Sequence, residues 1–259
     1  EVSVTFVSRH EPADLAYPWA QLGSDAADEA LGKAGLVVLA TSAGEPVVVD
    51  RQLRTSDPRI FAVGDAATKE DIHTSDAVMV PLAQTANRHG RIVADVITGR
   101  GTTAKPVMGT AIVGLFGLAA ASTGWNERRA RAAGKQVRVI HLHPSNHAGY
   151  YPGATQLHMK LVVDADTDAI LGAQIVGDNG ADKRIDVIAT AIRAGLTASD
   201  LADLELAYAP QFGSAKDPIN FAGFINDNLR HGERSVQWHE LEDRMSQGAL
   251  LVDVRSASE

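Results

Sequence analysis

A short apolar run that ends in a glycine and an aspartate is the feature that most constrains the fold of this chain. Residues 59–63 read as a strand, and Gly64 and Asp65 follow it directly. Glycine lets a ligand approach the backbone closely, and a carboxylate can accept hydrogen bonds from a polyol. Cofactors of open α/β sheets lie at the carboxyl ends of the strands. The pattern therefore predicts a cofactor-binding strand end, although an ordinary strand-to-loop exit with a turn-forming aspartate has the same spacing.

A helix is predicted to follow this strand after a polar loop over residues 69–76. Pro81 is expected to open it, because proline is favoured at the first helical position. An apolar face carries the helix to about Ile97, where Gly99 and Gly101 end it. Residues 102–106 read as a linker, and we expect a domain boundary between residues 104 and 105.

After this linker, strands come before helices instead of alternating with them. Four strands are predicted over residues 111–121, 137–142, 157–163 and 170–176, the first of them buried. Three helices are predicted over residues 126–133, 181–194 and 219–229. This order is typical of an α+β domain with an antiparallel sheet. Beyond it, residues 239–247 read as a helix and residues 250–255 as a strand.

The composition argues against several kinds of partner and site. The net charge of −8 makes a nucleic-acid backbone an improbable partner. The longest near-continuous apolar run, residues 111–121, is too short to span a bilayer. Without cysteine the chain has no disulfide framework and no thiolate metal site. His141, His143 and His147 lie close in sequence, but no carboxylate completes a ligand set at a suitable spacing, so we predict no metal site.

Two segments resemble parts of a flavoprotein family. Residues 55–66, TSDPRIFAVGDA, resemble the second FAD fingerprint of reductases with two dinucleotide-binding domains. The resemblance implies that Asp65, beside Gly64, binds the ribityl chain of FAD. Residues 80–91, VPLAQTANRHGR, resemble the family helix whose N-terminus points at the flavin ring, which implies flavin contacts from Pro81, Leu82 and Ala83. The positive end of a helix would stabilise an anionic reduced flavin, whereas the pattern alone also fits a plain amphipathic helix.

A third segment narrows the resemblance. Residues 206–220, LAYAPQFGSAKDPIN, resemble the dimerisation domain of the coenzyme A-disulfide reductase, NADH oxidase and NADH peroxidase group. In the coenzyme A-disulfide reductases, two tyrosines of the partner subunit line the disulfide site. Tyr208 matches one of them, and the other is Tyr150 or Tyr151. A phenol is a reasonable donor to a developing thiolate. The residues alone leave open that Tyr150 and Tyr151 belong to a packed surface loop.

The last segment, residues 237–255, resembles the opening helix and strand of a rhodanese-like domain and ends in Asp-Val-Arg. Together the resemblances imply an α/β fold class in three parts. Residues 1–104 would hold the end of an FAD/NAD(P)-binding Rossmann-like domain. Residues 105–232 would form an α+β dimerisation domain with an antiparallel sheet, and residues 233–259 the start of a truncated rhodanese-like domain.

The implied function is that of a cytoplasmic, homodimeric, FAD- and NAD(P)H-dependent oxidoreductase with no membrane partner. It would reduce a small-molecule disulfide or persulfide: coenzyme A disulfide, a persulfide or a polysulfide. The chain has neither a G-x-G-x-x-G motif nor a cysteine, so the redox cysteine is expected in a missing N-terminal half. The alternatives are an NADH oxidase or peroxidase of the same fold and, for the isolated chain, a non-catalytic dimerisation module.

Overall fold

The computed structural model describes residues 6–8, 19–21, 37–39 and 46–254. The chain forms two compact units, residues 1–109 and 110–259. None of the helices in the described residues is both long and apolar enough to cross a membrane.

Among its described residues, the first unit contains short strands and one long helix. Strands β1 (Phe6–Ser8) and β2 (Trp19–Gln21) pair in parallel, as do β3 (Val37–Leu39) and β4 (Ile60–Ala62). Strands β5 (Lys69–Glu70) and β6 (Ala77–Val78) form a small antiparallel pair. Helix α1 spans Ala83–Ile97. Parallel strands with a following helix are what an α/β unit requires.

Helix α1 packs its apolar face into the core of the first unit. Its buried residues Ile92, Val93 and Val96 join Phe61 of β4 in one cluster with Leu53 and Val63. Burying each such side chain contributes about 1.5–3 kcal/mol. The core therefore fixes the helix against the strand that leads into Gly64.

The prediction that Pro81 opens this helix is wrong by two residues. The N-cap is Leu82, whose backbone is extended, and the first helical residue is Ala83. Both backbone N–H groups of Thr85 and Ala86 donate to the Leu82 carbonyl oxygen, as does the Thr85 hydroxyl. The first turn therefore closes on Leu82, and Pro81 lies just outside the helix.

The second unit is a five-stranded antiparallel sheet with helices, which confirms the predicted fold class. The strands are β7 (Ala111–Leu115), β8 (Leu118–Gly124), β9 (Val137–Leu142), β10 (His158–Asp164) and β11 (Ile170–Gly177), in the order β7-β8-β11-β10-β9. The helices are α2 (Glu127–Ala132), α3 (Ala181–Ala194), α4 (Pro218–Arg230) and α5 (Leu241–Ser246). Helix α3 packs on β11 and β8, where it buries Ile185, Ile188 and Ile192.

The prediction of one buried strand over residues 111–121 is wrong. The run folds into a hairpin, β7 and β8, whose two-residue turn is Phe116 and Gly117. Both turn residues have positive φ, 52° and 79°, as the tight turns that match the twist of paired strands require. Most of the apolar side chains are exposed, up to 96% for Phe116. An apolar patch of this kind on a folded surface marks an interaction site.

The predicted strand over residues 250–255 is also wrong for its described part. Residues 250–254 are in no strand, and Leu250 and Val254 are about nine-tenths exposed. Within the described part of the chain, no strand forms a ladder with them. Helix α5 does form, two residues later than predicted.

Candidate functional site

The Gly64–Asp65 pair forms a tight turn at the end of β4. Residues 64–66 make one turn of 3-10 helix. Gly64 has a φ of +76°, a left-handed conformation that strains any residue with a Cβ. The Asp65 side chain is exposed, and its carboxylate accepts no hydrogen bond within the described part of the chain. The turn therefore presents a free carboxylate that suits a ligand rich in hydroxyl groups.

A buried lysine holds this turn from behind. The Lys69 ammonium donates to the carbonyl oxygen of Gly64 at 2.6 Å and to that of Ala67 at 2.9 Å. The residue is only 5% exposed. Burial lowers the pKa of Lys69, and the nearby charge of Asp65 partly opposes that shift. This role could not be predicted from the sequence, because a lysine in a polar loop is usually a solvated charge.

The start of helix α1 is accessible beside the same turn. A Cβ placed on Gly64 would lie 3.8 Å from the Cβ of Ala86, so the turn and the second helical turn are in contact. Pro81 and Ala83 are exposed and Leu82 is half-buried. The first turn of α1 carries no acidic residue, which leaves the positive end of the helix dipole uncompensated there. The five residues proposed to contact a flavin are thus supplied by two adjoining elements.

His89 is buried in the middle of α1. It is 4% exposed, and its Nδ1 has no hydrogen-bond partner in the described structure. With Thr68 and Lys69 it lines a cavity of about 200 Å³. Burial, together with the positive charges of Lys69 and Arg88, lowers the pKa of His89 to about 4. The imidazole is therefore neutral at pH 7.

This histidine should make the protein sensitive to mild acid. Its pKa is lower in the folded state than the usual unfolded value of about 6.5. Below pH 6.5 the unfolded chain binds a proton that the folded protein does not, so stability falls as the pH drops towards 4. At pH 5 the loss should be about 2 kcal/mol. Thermal unfolding of the His89→Gln variant should lose this part of the pH dependence, whereas His231→Gln, at an exposed position, should keep it.

Two tyrosines far apart in sequence meet in the second unit. The hydroxyl oxygens of Tyr150 and Tyr208 are 2.9 Å apart and share a hydrogen bond. Both side chains are well exposed, 77% and 48%. The bond to Tyr150 raises the pKa of Tyr208 above its usual 10. A hydrogen-bonded phenol pair at the surface can donate to an anion that approaches from outside.

Tyr151 faces another partner. Its backbone N–H donates to the carbonyl oxygen of Ala148 at 2.9 Å, and its ring packs edge to face against His147, with centroids 5.8 Å apart. Of the two candidates Tyr150 and Tyr151, only Tyr150 makes a hydrogen bond to Tyr208. The roles of all three tyrosines stay predictions.

A cavity of about 400 Å³ lies beside the tyrosine loop. Its lining includes Gly149, the residue before Tyr150, together with His143, His147 and Lys216. The Lys216 ammonium lies over the rings of Phe221 and Phe224, 5.1 and 5.3 Å from their centroids. The cavity therefore offers a cation that could contact an anionic ligand. Lys216 was not among the predicted site residues, although it lies within the segment 206–220 that carried the resemblance.

Two of the described histidines make a close contact with each other. His143 and His158 approach at 2.9 Å through their Nδ1 atoms. No group of three or more histidines and carboxylates suited to a metal ion occurs in the part of the chain that the structure describes.

Comparison with known proteins gives consistent likenesses. Residues 110–217 match the family of the pyridine nucleotide-disulphide oxidoreductase dimerisation domain. Coenzyme A disulfide reductase of Staphylococcus aureus (strain JH9) is 37% identical over 179 residues, which are 69% of this chain and 40% of the relative. The chain thus spans about two-fifths of the length of the curated relatives that it matches.

Two solved structures share both fold and sequence with the chain. One is reduced Bacillus anthracis CoADR-RHD, which is 44% identical with a TM-score of 0.79 and matches 85% of this chain and 40% of that one. The other is an NAD-dependent persulfide reductase from A. fulgidus, which is 38% identical with a TM-score of 0.71 and matches 79% of this chain and 38% of that one. Both likenesses extend beyond the dimerisation segment.

Proposed function

The chain is the C-terminal part of a pyridine nucleotide-disulfide oxidoreductase related to coenzyme A disulfide reductase, and from this premise we propose that the whole protein reduces coenzyme A disulfide, a persulfide or a polysulfide. FAD and NAD(P)H would be its cofactors, and coenzyme A the carrier of the substrate sulfur. The observation that carries the proposal is the exposed Tyr150–Tyr208 hydrogen bond. It puts two phenol donors where a sulfur anion could be stabilised as it forms.

The residues of the first unit fit the flavin. The exposed carboxylate of Asp65 would accept hydrogen bonds from the ribityl hydroxyls, with Lys69 fixing its turn. Pro81, Leu82 and Ala83 would face the ring system, and the N-terminus of α1 would favour negative charge on it. When bound, FAD would relay two electrons from NAD(P)H to the sulfur substrate through a cysteine that this chain does not contain.

In the second unit the tyrosines would act on the substrate. Reduction of a disulfide breaks the S–S bond with two electrons and leaves two thiolates, each of which takes up a proton. A phenol at hydrogen-bond distance lowers the energy of a developing thiolate, and the Tyr150–Tyr208 bond orients one hydroxyl by means of the other. Lys216, at the neighbouring cavity, would attract the anionic parts of a coenzyme A substrate.

A second copy of the chain is the partner that this assignment requires. The exposed apolar hairpin of β7 and β8 is a suitable contact surface for it. We propose that residues 105–232 form the dimerisation domain and that the tyrosines serve the site of the other subunit. Residues 1–104 would complete the cofactor domains, and residues 233–259 would begin a rhodanese-like domain.

The tyrosine role is tested by removing one hydroxyl. In the full-length enzyme, Tyr208→Phe should lower the turnover of coenzyme A disulfide about tenfold, the effect of one catalytic hydrogen bond. Flavin reduction by NAD(P)H should not change, because it does not involve the phenols. Stopped-flow absorbance separates these two half-reactions. Tyr151→Phe, which removes a neighbouring hydroxyl outside the pair, shows which of Tyr150 and Tyr151 is the second tyrosine of the site: unchanged turnover assigns that role to Tyr150.

Unchanged disulfide turnover in Tyr208→Phe would contradict the proposed role. The choice of substrate is tested separately, by steady-state assays of the full-length enzyme with coenzyme A disulfide, polysulfide and oxygen. Rapid turnover of oxygen alone would favour an NADH oxidase of the same fold. For the isolated 259 residues, which hold only part of the flavin-binding residues, we expect a non-catalytic dimerisation module, and a purified fragment with a flavin absorbance band would contradict that.

A further inference from the structure

The two tyrosines of the pair lie on separate loops that must be held in place by something else. The first loop, residues 143–157, connects β9 to β10 and carries Tyr150. The second loop, residues 204–217, precedes α4 and carries Tyr208. A single hydrogen bond between exposed side chains contributes only about 1 kcal/mol and competes with water. The phenol contact therefore cannot fix the geometry of the loops by itself.

One buried guanidinium reaches both loops. Arg184 of helix α3 is 1% exposed. Its Nη2 donates to the carbonyl oxygen of Asn146 in the first loop and to Asp217 Oδ2 at the end of the second, both at 2.8 Å. Its Nε donates to the other carboxylate oxygen of Asp217 at 3.3 Å, and its Nη1 donates to the carbonyl oxygen of Gly180 at 3.3 Å. A single rigid side chain on the sheet-packed helix therefore ties the two loops together.

The contacts around this side chain leave little freedom. Asp217 is 3% exposed, and its Oδ1 also accepts from the backbone N–H of Ile219, so it caps α4. The two loops are joined directly where Ala148 N–H donates to the carbonyl oxygen of Gly213 at 2.9 Å. A buried ion pair keeps its stability only when its remaining hydrogen-bonding groups are satisfied. Here they are satisfied by backbone atoms, namely the carbonyl oxygens of Asn146 and Gly180 for Arg184 and the N–H of Ile219 for Asp217.

We infer that Arg184, with its partner Asp217, is the positioning residue that brings the Tyr150 and Tyr208 phenols together. The inference rests on the proposed function for its consequence in catalysis, but its geometric content concerns the loops alone. Holding the two loops requires a planar fork, the Arg184 guanidinium, that bonds both of them at once. Lysine presents one compact ammonium and cannot replace that fork.

The test uses Arg184→Lys in the full-length enzyme, with Arg193→Lys as the matched control. Arg193 lies on the same helix at an exposed position. We expect Arg184→Lys to slow coenzyme A disulfide turnover about tenfold, as loss of the phenol pair would, while flavin reduction by NAD(P)H stays unchanged. In a Tyr208→Phe background the same substitution should add little, because the two changes remove one interaction. Equal slowing in both backgrounds would show a general structural role and overturn the inference.

A second readout does not depend on activity. The tyrosine absorbance of each protein is titrated with base, and the part due to Tyr208 is taken as the difference from the matching Tyr208→Phe protein. The pKa of Tyr208 is raised by its bond to Tyr150, so Arg184→Lys should bring the titration of Tyr208 to lower pH. An unchanged titration of Tyr208 in the Arg184→Lys protein would overturn the inference. This readout stays decisive even if Tyr208→Phe shows that the phenols play no part in turnover. If Arg184→Lys does not fold, Asp217→Asn breaks the same ion pair and keeps an oxygen for the helix cap.

Discussion

Replacement of Asp168 by alanine should lower the free energy of unfolding of the second unit by about 3–5 kcal/mol, the usual cost of leaving buried charges unpaired. Asp168 is 7% exposed and lies in the β10–β11 loop. Its carboxylate accepts from Arg138 at 2.9 Å, from the Ser199 hydroxyl at 2.7 Å and from Asn226 at 3.0 Å. Arg230 also donates to it at 3.3 Å, and so does the backbone N–H of Ser199 at 3.1 Å. The substitution would therefore take the carboxylate partner from the largely buried Arg138 and loosen a strand, a turn and a helix at once, whereas Arg230 keeps Asp227 at 4.0 Å.

Urea unfolding of the alanine variant, with Asp166→Ala as the control, measures this cost. Asp166 is an exposed aspartate of the same loop, so its loss should be nearly silent. Asp168→Asn should fall between the two, because asparagine tolerates the positive φ of 64° at this position but carries no charge. Equal stabilities of the two alanine variants would show that the network contributes nothing.

Asp168 also makes the stability of the second unit depend on pH. Burial alone would raise the pKa of Asp168, but hydrogen bonds from Asn226 and Ser199 and the charge of Arg230 outweigh it and lower the pKa. The stabilisation is therefore present above the unfolded pKa of about 3.9 and is lost as the pH falls through the lower folded value. The difference in the free energy of unfolding between wild type and Asp168→Asn should shrink in that acidic range.

Local patterns predicted the regular elements of the second unit well. Helix α3 spans Ala181–Ala194 as predicted, because an apolar face every three to four residues and a glycine at the end specify both its core side and its stop. The hairpin of β7 and β8 was missed for a physical reason. Its turn lies inside a continuous apolar run, and the apolar residues there face outward, so hydrophobicity did not report burial.

The candidate site was predictable only in part. Gly64 and Asp65 were found because strand, glycine and carboxylate are consecutive in sequence. The hydroxyl contact between Tyr150 and Tyr208 joins residues 58 positions apart, and no periodicity encodes such a pairing. Lys69 was missed as well, because its burial depends on the way the loop folds back under residues 64–67.

Removal of the Asp65 carboxylate should weaken FAD binding of the full-length enzyme about 10- to 100-fold, the value of a charge-assisted hydrogen bond. The fold should be unaffected, since the side chain is exposed and accepts no hydrogen bond within the described residues. Titration of flavin-free Asp65→Ala protein with FAD measures the change. Asp65→Asn, which keeps one carbonyl oxygen, should lie between the alanine variant and wild type.

Asp57→Ala provides the control for this experiment. Asp57 lies before β4, at the other end of the same strand, and pairs locally with Arg59. Its loss should leave FAD affinity unchanged, because the proposed contact is made only at the carboxyl end of the strand. Wild-type affinity in Asp65→Ala would remove the proposed cofactor role of this turn. An equal loss of FAD affinity in both variants would instead show that the loss comes from a change in the strand. The exposed carboxylate of Asp65, whose turn Lys69 holds, would then need another ligand.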